Sequence, residues 1–198
     1  MFVTFEGVDG SGKSTQAALL VEWLRETGAT VVFTREPGGT PLGERVRSLV
    51  LDGDDMSPWA EAALYAAARA ELAARVVRPA LERGEHVVCD RYLDSSVAYQ
   101  GVVRGLGAEP VRELSLRVTG SLLPDRTFLL LVPPDRATGR GTVAPDRIER
   151  EGAEFMSRVE DAYRTLAAEA PGRWVALDGD RPPEEIAEEV REHVRALL

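Results

Sequence analysis

The chain has 198 residues, 44% of them hydrophobic and 29% charged, which is the composition of one globular domain rather than of a disordered or fibrous protein. Its formal net charge of −9 argues against a general nucleic-acid binder, because affinity for a phosphate backbone requires a basic face. The single Cys89 is interpreted as a buried apolar residue, so a reducing, cytoplasmic location without leader or membrane span is the default expectation.

A complete phosphate-binding loop, GxxxxGK[ST], occupies residues 7–14, between a predicted strand at residues 2–5 and a predicted helix at residues 15–24. Its glycines let successive backbone N–H groups face one anion, and the helix adds its positive N-terminal end. Lys13 would reach the β and γ phosphates of a nucleotide, and the Ser14 hydroxyl would bind Mg²⁺. The residues expected around the ATP phosphates are Gly7, Asp9, Gly10, Ser11, Gly12, Lys13, Ser14 and Thr15.

Lys13 is also the only lysine in the chain, since the other 23 basic residues are arginines. A lysine ammonium is a compact point charge, whereas a guanidinium is a broad planar fork. An ordinary surface role for Lys13, and with it a chance match to the loop motif, is therefore disfavoured.

Four further strands alternate with helical segments along the rest of the chain. The strands are predicted at 30–34, 86–90, 127–132 and 174–177, and the helices at 42–51, 58–83 with an interruption near Pro79, 110–119, 151–169 and 183–197. This alternation predicts a three-layer α/β phosphate-loop NTPase fold, with a five-stranded parallel sheet covered by helices on both faces. We expect a single domain over residues 1–198, with a lid segment at about 136–150 where Gly, Thr, Pro, Asp and four arginines interrupt regular structure.

Polar residues outside the loop also suggest a nucleotide site, although each of them has a simpler structural interpretation as well. Asp90 ends the third predicted strand, where it could bind Mg²⁺ directly or through water, or cap the next helix. Arg91 could bind an acceptor phosphate with two hydrogen bonds, or form a surface ion pair. Tyr65 and Arg69 share one helix face and together suit a planar base, although Tyr65 could also be a core residue.

The phosphate-binding loop by itself leaves GTPases, ATPase motors and small-molecule kinases open. Guanine-specific GTPases are set aside because their base-reading Asn-Lys-x-Asp motif requires an asparagine, and the chain has none. Two alternatives stay open beside the interpretation that follows. One is a kinase for another nucleoside monophosphate, and the other is a nucleotide-driven switch or assembly ATPase that uses no acceptor.

Four spaced segments together resemble the bacterial branch of the thymidylate kinase family over essentially the whole chain. They are residues 5–15, which open on Phe-Glu-Gly, 34–40 (Thr-Arg-Glu-Pro-Gly-Gly-Thr), 90–101, which open on Asp-Arg-Tyr and close on Ala-Tyr-Gln-Gly, and 145–149 (Pro-Asp-Arg-Ile-Glu). The resemblance implies a Mg²⁺-dependent kinase that transfers the γ-phosphoryl group of ATP to dTMP, giving dTDP and ADP. It also implies a homodimer, and neither nucleic acid nor a membrane is expected as a partner.

The resemblance implies roles for individual residues as well. Asp9 would position the acceptor nucleotide, and Ser14 with Asp90 would hold Mg²⁺. Tyr65 would stack on thymine, Arg69 would donate to its O4, and Tyr99 would crowd C2′ of the deoxyribose. The residues expected around dTMP are Asp9, Glu36, Arg47, Tyr65, Arg69, Arg91, Ser96, Tyr99 and Gln100, of which Glu36, Arg47 and Arg91 surround its phosphate and Ser96 and Gln100 address the base edge.

The positive charges expected to assist catalysis are those of Lys13, Arg91 and an arginine of the lid. The loop interior, residues 8–11, lacks the arginine that eukaryotic members of the family carry there, and in the bacterial branch the lid supplies that charge instead. Here residues 139–145 are shorter and poorer in arginine than the usual bacterial lid. Arg136, Arg140 and Arg147 are therefore alternatives for the residue that reaches the transferred phosphoryl group, with Arg140 and Arg147 as the leading candidates.

Overall fold

A five-stranded, all-parallel β-sheet forms the centre of the computed structural model, which describes residues 1–133 and 146–198. The strands are β1 (Phe2–Glu6), β2 (Val31–Arg35), β3 (His86–Asp90), β4 (Arg126–Leu131) and β5 (Trp174–Asp178), in the spatial order β2-β3-β1-β4-β5. The predicted three-layer α/β fold is confirmed, and the strands lie close to their predicted positions.

Helices connect the strands and cover both faces of the sheet. They are α1 (Lys13–Glu26), α2 (Pro41–Leu51), α3 (Pro58–Leu72), α4 (Arg78–Glu82), α5 (Leu93–Ser96), α6 (Ala108–Thr119), α7 (Ala153–Glu169) and α8 (Pro183–Arg195), with π-helical segments at Ala73–Val77 and Val97–Val103 and a 3-10 turn at Glu149–Glu151. Thr40 and Ser57 cap α2 and α3, because each side-chain oxygen accepts a backbone N–H of the first helical turn. Within the described residues, no helix is long and apolar enough to cross a membrane.

The long helical stretch predicted at residues 58–83 is interrupted as expected, although as a widened turn rather than a break. The π-helical segment Ala73–Val77 joins α3 to α4 directly ahead of Pro79. Proline has no backbone N–H and its ring clashes with the preceding turn of an α-helix, so a wider turn at this point relieves both problems. Gly84, with a φ of 77°, then ends the stretch.

Alternation along the strands creates one apolar core on each face of the sheet. Val3 and Phe5 of β1 face α1 and α8, where they pack with Leu20 and other apolar residues of those helices. Phe2, on the opposite face, belongs to the larger core that includes residues of α5, α6 and α7. Because side chains alternate along a strand, Glu6 at the end of β1 lies on the same face as Phe2.

The carboxyl ends of the strands meet at one edge of the sheet. In the parallel register Phe5 of β1 lies beside Asp90 of β3, and Asp90 in turn lies beside Arg35 of β2. On the other side of β1, Glu6 lies beside Leu129 of β4. The segments that follow β1, β2 and β3 therefore emerge next to one another, at the edge where open α/β sheets bind ligands.

Candidate active site

The phosphate-binding loop links β1 to α1, and its glycines adopt backbone conformations that other residues avoid. Gly7, Gly10 and Gly12 have φ angles of 138°, 77° and 94°. A Cβ atom on Gly7 would lie 2.5 Å from the carbonyl oxygen of Leu130, so Gly7 packs the loop against β4. The predicted phosphate-binding residues from Asp9 to Thr15 line an open cavity of about 1000 Å³.

Lys13 is buried beneath this loop, with only 5% of its side chain exposed. Its Nζ donates to the carbonyl oxygen of Val8 at 2.8 Å and lies 3.7 Å from Oδ1 of Asp9. Burial, together with the nearby Arg91 guanidinium, lowers the pKa of the Lys13 ammonium. The single lysine of the chain thus lies inside the loop, as its isolation in the sequence predicts.

Ser14 and Asp90 meet at the carboxyl edge, where the start of α1 approaches the end of β3. The Ser14 hydroxyl donates to Oδ2 of Asp90. Both residues line a second cavity, of about 1180 Å³, together with Lys13 and Arg91. A hydroxyl and a carboxylate oxygen in contact are hard ligands of the kind that Mg²⁺ prefers.

The ligand set around Ser14 and Asp90 contains few protein groups. Within residues 1–133 and 146–198, no three side chains of His, Cys, Asp or Glu cluster as a metal site. Mg²⁺ is usually held by one or two carboxylates, water and the phosphates of its substrate rather than by an all-protein cage. The two oxygen donors at this edge fit that mode of binding.

Arg91 follows β3 in a left-handed backbone conformation, with a φ of 68° that is uncommon for a residue other than glycine. Its guanidinium lies 2.7 Å from Oδ1 of Asp9 and 5.4 Å from the centre of the Tyr99 ring. Burial by itself raises the pKa of the Asp9 carboxyl, but Arg91 and Lys13 outweigh it and hold that pKa below its usual range. Asp9 is therefore a fixed negative charge between two cations.

A buried carboxylate supports Arg91 from below. Glu6, which is fully buried, accepts the backbone N–H of Tyr92 at 2.8 Å, the Ser95 hydroxyl at 2.6 Å and the Tyr163 hydroxyl at 2.9 Å. Both hydroxyls also accept from the Arg91 guanidinium at 3.2 Å. Burial raises the pKa of Glu6 to about 7. Sequence reasoning gave Glu6, Ser95 and Tyr163 no role; the first two lie inside the family-like segments, whereas Tyr163 carries no signal at all.

All nine residues expected around dTMP line one cavity of about 540 Å³, part of which opens to solvent; we call it the acceptor cavity. Arg47 is among the lining residues, and its guanidinium donates to the carbonyl oxygen of Pro37 at 3.1 Å. The lining also includes residues that the sequence did not predict, namely Pro37, Leu51, Tyr92, Ser95, Asp146 and Ile148.

Arg69 and Glu36 form a buried ion pair in the wall of this cavity. Arg69 is 1% exposed, and its Nε donates to Oε2 of Glu36 at 2.8 Å. The other guanidinium nitrogens donate to the hydroxyls of Ser96 at 2.9 Å and Ser115 at 3.1 Å. Burial raises the pKa of Glu36 to about 7, although Arg69 opposes this change. Arg69 is thus fixed in place by three partners before any ligand binds.

The π-helical segment Val97–Val103 carries two of the predicted base-side residues. The Gln100 side chain is 2% exposed, and its Nε2 donates to Oε1 of Glu61 at 2.8 Å. The Tyr99 hydroxyl is buried without a hydrogen-bond partner among the described residues. Widened helical turns are frequent at functional sites. The sequence indicated Tyr99 and Gln100 through the family resemblance but gave no sign of the π turn that presents them.

The cavity at the phosphate-binding loop extends to residues that sequence reasoning did not find. These additional lining residues come from the end of β5 to the first turns of α8 and are Gly179, Arg181, Pro183 and Ile186. The Gln16 side chain joins the two sides, because its Nε2 donates to the carbonyl oxygen of Pro183 at 2.9 Å. No motif marks these positions, so only the approach of α8 to α1 identifies them.

Only one of the three arginines that the sequence offers for the lid lies within the described residues. Arg136 and Arg140 lie outside the described residues. Arg147 is described, and its position does not fit the predicted contact with a transferred phosphoryl group: it is 5% exposed, 2.6 Å from Oε2 of Glu61, and donates through Nε to the carbonyl oxygen of Val50 at 2.9 Å. It is not among the residues that line the three cavities. The reason is a buried carboxylate far away in the sequence, which spacing along the chain does not reveal.

Comparison with known proteins identifies the family of this chain. The family model for thymidylate kinase matches residues 5–190. A thymidylate kinase of Leifsonia xyli subsp. xyli is 56% identical over 197 residues, covering 96% of this chain and 92% of that protein. A thymidylate kinase of Deinococcus radiodurans is 48% identical over 195 residues, covering 96% and 94%. The crystal structure of thymidylate kinase from Ehrlichia chaffeensis matches with a TM-score of 0.82 at 34% identity and covers 98% of both chains. With both sequence and fold matched over nearly their full lengths, the chain belongs to the thymidylate kinase family.

Proposed function

We propose that this protein transfers the γ-phosphoryl group of ATP to dTMP, giving dTDP and ADP. The observation that carries the proposal is the continuity of the site. The cavity lined by the nine acceptor residues and the cavity of the phosphate-binding loop share Asp9. A donor phosphate on the loop and an acceptor phosphate in the neighbouring cavity would therefore face each other across one carboxylate.

The phosphate side works by position and charge. The loop N–H groups and the start of α1 bind the ATP phosphates, and Lys13 neutralises charge that develops between the β and γ phosphates. Arg91, oriented by Asp9, binds the dTMP phosphate. Because the acceptor is itself a phosphate, no side chain has to act as a base. This agrees with the absence of histidine from the residues that line the described cavities.

Ser14 and Asp90 would hold Mg²⁺, Asp90 in part through water. When bound, the ion neutralises charge on the β and γ oxygens of ATP. The contribution of this chain is to keep a hydroxyl and a carboxylate together at the mouth of the phosphate loop, where α1 and β3 fix them. The adenosine end of ATP would lie beyond the loop, against Arg181, Pro183 and Ile186.

The base side selects a thymine-like ring. Tyr65, half-buried in the cavity wall, offers the stacking surface, and the pre-fixed Arg69 offers only donors to the group at C4. Tyr99 lies 7% exposed at the sugar position, where it disfavours a 2′-hydroxyl. These placements support the role assigned to each residue by resemblance.

The first test separates a kinase from a switch or assembly ATPase. ADP release is measured with Mg²⁺-ATP alone and after addition of dTMP. We expect almost no turnover until dTMP is added, because the acceptor completes the site. Equal ADP release with and without dTMP would favour the acceptor-free class instead.

The second test separates dTMP from other acceptors by kcat/KM for dTMP, dUMP, dCMP and UMP under one set of conditions. Cytosine turns an amine toward the donors of Arg69, and an unsatisfied buried group costs about 1 to 3 kcal/mol, so dCMP should be poorer by about tenfold to a hundredfold. Uracil lacks only a methyl group, worth on the order of 0.8 kcal/mol, so dUMP should be several-fold poorer. Equal or better turnover of dCMP or UMP would assign another nucleotide as substrate.

The homodimer implied by the family resemblance is part of the same proposal. Leu42 and Leu49 of α2 and Trp59 of α3 are 43%, 54% and 50% exposed, on two helices that pack against each other. Light scattering at micromolar concentration should give twice the mass of one chain, whereas a single-chain mass would leave these side chains without a covering partner.

A further inference from the structure

Glu61 lies in the first turn of α3, 1% exposed, and does not itself line the acceptor cavity. We propose that Glu61 is a specificity-determining positioning residue, which fixes the side-chain amide of Gln100 and thereby the preference for thymine over cytosine. The inference rests on the proposed function, since it concerns the base of the acceptor nucleotide. Glu61 stands one helical turn before Tyr65 and two before Arg69, so one face of α3 carries all three.

The contacts of Glu61 connect the acceptor cavity to Arg147, in the described part of the lid segment. Its Oε1 accepts from Nε2 of Gln100 at 2.8 Å, and its Oε2 accepts from the Arg147 guanidinium at 2.6 Å. Arg104 lies farther away, with nitrogens 3.5 Å from each oxygen. Gln100 itself lines the cavity, beside Ser96. Glu61 therefore lies behind the cavity wall and contacts Gln100, which forms part of that wall.

The chemistry of these contacts determines how the amide of Gln100 can be oriented. A glutamine side chain donates through Nε2 and accepts through Oε1, whereas an ionised carboxylate only accepts. Gln100 must consequently turn Nε2 toward Glu61, which leaves Oε1 as the arm available to a base. N3 of thymine carries a hydrogen and can donate it to this Oε1 atom. N3 of cytosine is an acceptor, so two acceptors would face each other and neither would have a hydrogen-bond donor.

Arg147 makes this orientation depend on the charge of residue 61. Its Nε is held by the carbonyl oxygen of Val50 at 2.9 Å, so its terminal nitrogen stays on Oε2 of Glu61. In a Glu61→Gln variant, Arg147 can only donate and would select the new amide oxygen. The new amide nitrogen would then face Gln100, which has to turn Oε1 toward it and present Nε2 to the base.

The test is kcat/KM for dTMP and dCMP in the wild-type enzyme and in Glu61→Gln, with thermal unfolding of both proteins. We expect the dTMP to dCMP ratio to fall at least about tenfold in the variant, because an acceptor facing the thymine N3–H becomes a donor. The loss should fall on KM for dTMP more than on kcat. The matched control is Arg104→Met, which removes a guanidinium near Glu61 but leaves its contact with Gln100, and which should keep the wild-type ratio.

A folded Glu61→Gln enzyme with the wild-type ratio would overturn the proposal, as would a similar fall in Arg104→Met. If Glu61→Gln does not fold, the double variant Glu61→Met/Arg147→Met replaces the buried ion pair by apolar side chains, a change that often preserves stability. It too should lose discrimination, and a wild-type ratio in it would count against the proposal. A wild-type enzyme that shows no preference for dTMP would instead refute the proposed function, whatever the variants do.

Discussion

At the level of single residues, two ionisable side chains are buried at the carboxyl edge of the sheet even though burial opposes their charged forms. Burial lowers the pKa of Lys13 and raises that of Glu6 to about 7. Burying a charge costs free energy unless partners offset the cost. Lys13 faces the place where phosphates are proposed to bind, and Glu6 supports Arg91 through two hydroxyls. The proposed reaction explains the positions of both side chains better than packing does.

Replacing Lys13 by alanine should therefore damage catalysis far more than folding. Loss of one preorganised charge-stabilising group typically lowers the rate by about 10²-fold or more. The thermal midpoint should change little, because the variant also removes a cation that burial disfavours. The measurements are kcat with saturating ATP and dTMP, and thermal unfolding of the same samples. Turnover close to that of the wild-type enzyme would contradict the assignment of the phosphate loop.

At the level of elements, the carboxyl edge brings together segments that are distant in the sequence. β1 and β3 are neighbours, so the phosphate loop and Arg91 emerge side by side. α3 and the Val97–Val103 segment contact each other and both line the acceptor cavity. Periodicity predicted the strands and most helices. The π-helical turns were not predicted, because one extra residue in a turn leaves almost no trace in a hydrophobic pattern.

The lid segment yields a prediction in which its two leading arginines behave differently. Arg147→Met breaks a buried ion pair with Glu61, so it should lower the free energy of unfolding, by about 3 to 5 kcal/mol for a typical buried pair. Arg140→Ala should instead lower kcat with little effect on stability or on KM for dTMP, since an external arginine acting on the transition state is worth roughly 10³ to 10⁵ in rate.

The two lid variants are compared by urea unfolding and by steady-state kinetics on the same preparations. Each serves as the control for the other, because both remove one guanidinium from the same part of the chain. A large loss of kcat in a stable Arg147→Met enzyme would restore Arg147 as a catalytic residue. Wild-type kcat in Arg140→Ala would place the catalytic cation elsewhere.

At the level of the whole molecule, stability should depend on pH through two buried carboxyls. Glu6 and Glu36 have a pKa of about 7 in the folded protein against an ordinary value of 4.5. Between these values the folded state binds more protons than the unfolded state, so this contribution to stability is fully present below about pH 4.5 and is lost as the pH rises through 7. His86, whose pKa burial lowers, acts in the opposite direction.

The variant Glu6→Gln should lack the contribution of Glu6 to the pH dependence of stability. Its free energy of unfolding, measured by urea titration at pH 5, 6, 7 and 8, should rise relative to wild type as the pH increases. The change can reach about 3 kcal/mol, because one pKa unit corresponds to about 1.4 kcal/mol. Glu113→Gln, at an exposed position of α6, is the control and should follow the wild-type curve. Parallel curves for Glu6→Gln and wild type would show that Glu6 is ionised throughout this range.

The sequence by itself determined the phosphate loop and the order of strands and helices. Glycines at fixed spacing determine the backbone of the loop, and alternating apolar residues determine strands. Both effects are local, so both are visible in the order of residues along the chain. The nine residues expected around dTMP came from the family resemblance. Six of them lie in the first three family-like segments, whereas Arg47, Tyr65 and Arg69 lie outside all four. The placement of all nine around one cavity agrees with that prediction.

Only the tertiary structure decided which partners hold these residues in place. Glu6 meets Tyr163, and Glu61 meets both Gln100 and Arg147, across separations of 157, 39 and 86 residues. Each pairing depends on which face of a strand or helix points inward and on how closely two elements approach. A buried carboxylate binds whichever donor the packing brings to it, and no spacing along the chain specifies that donor.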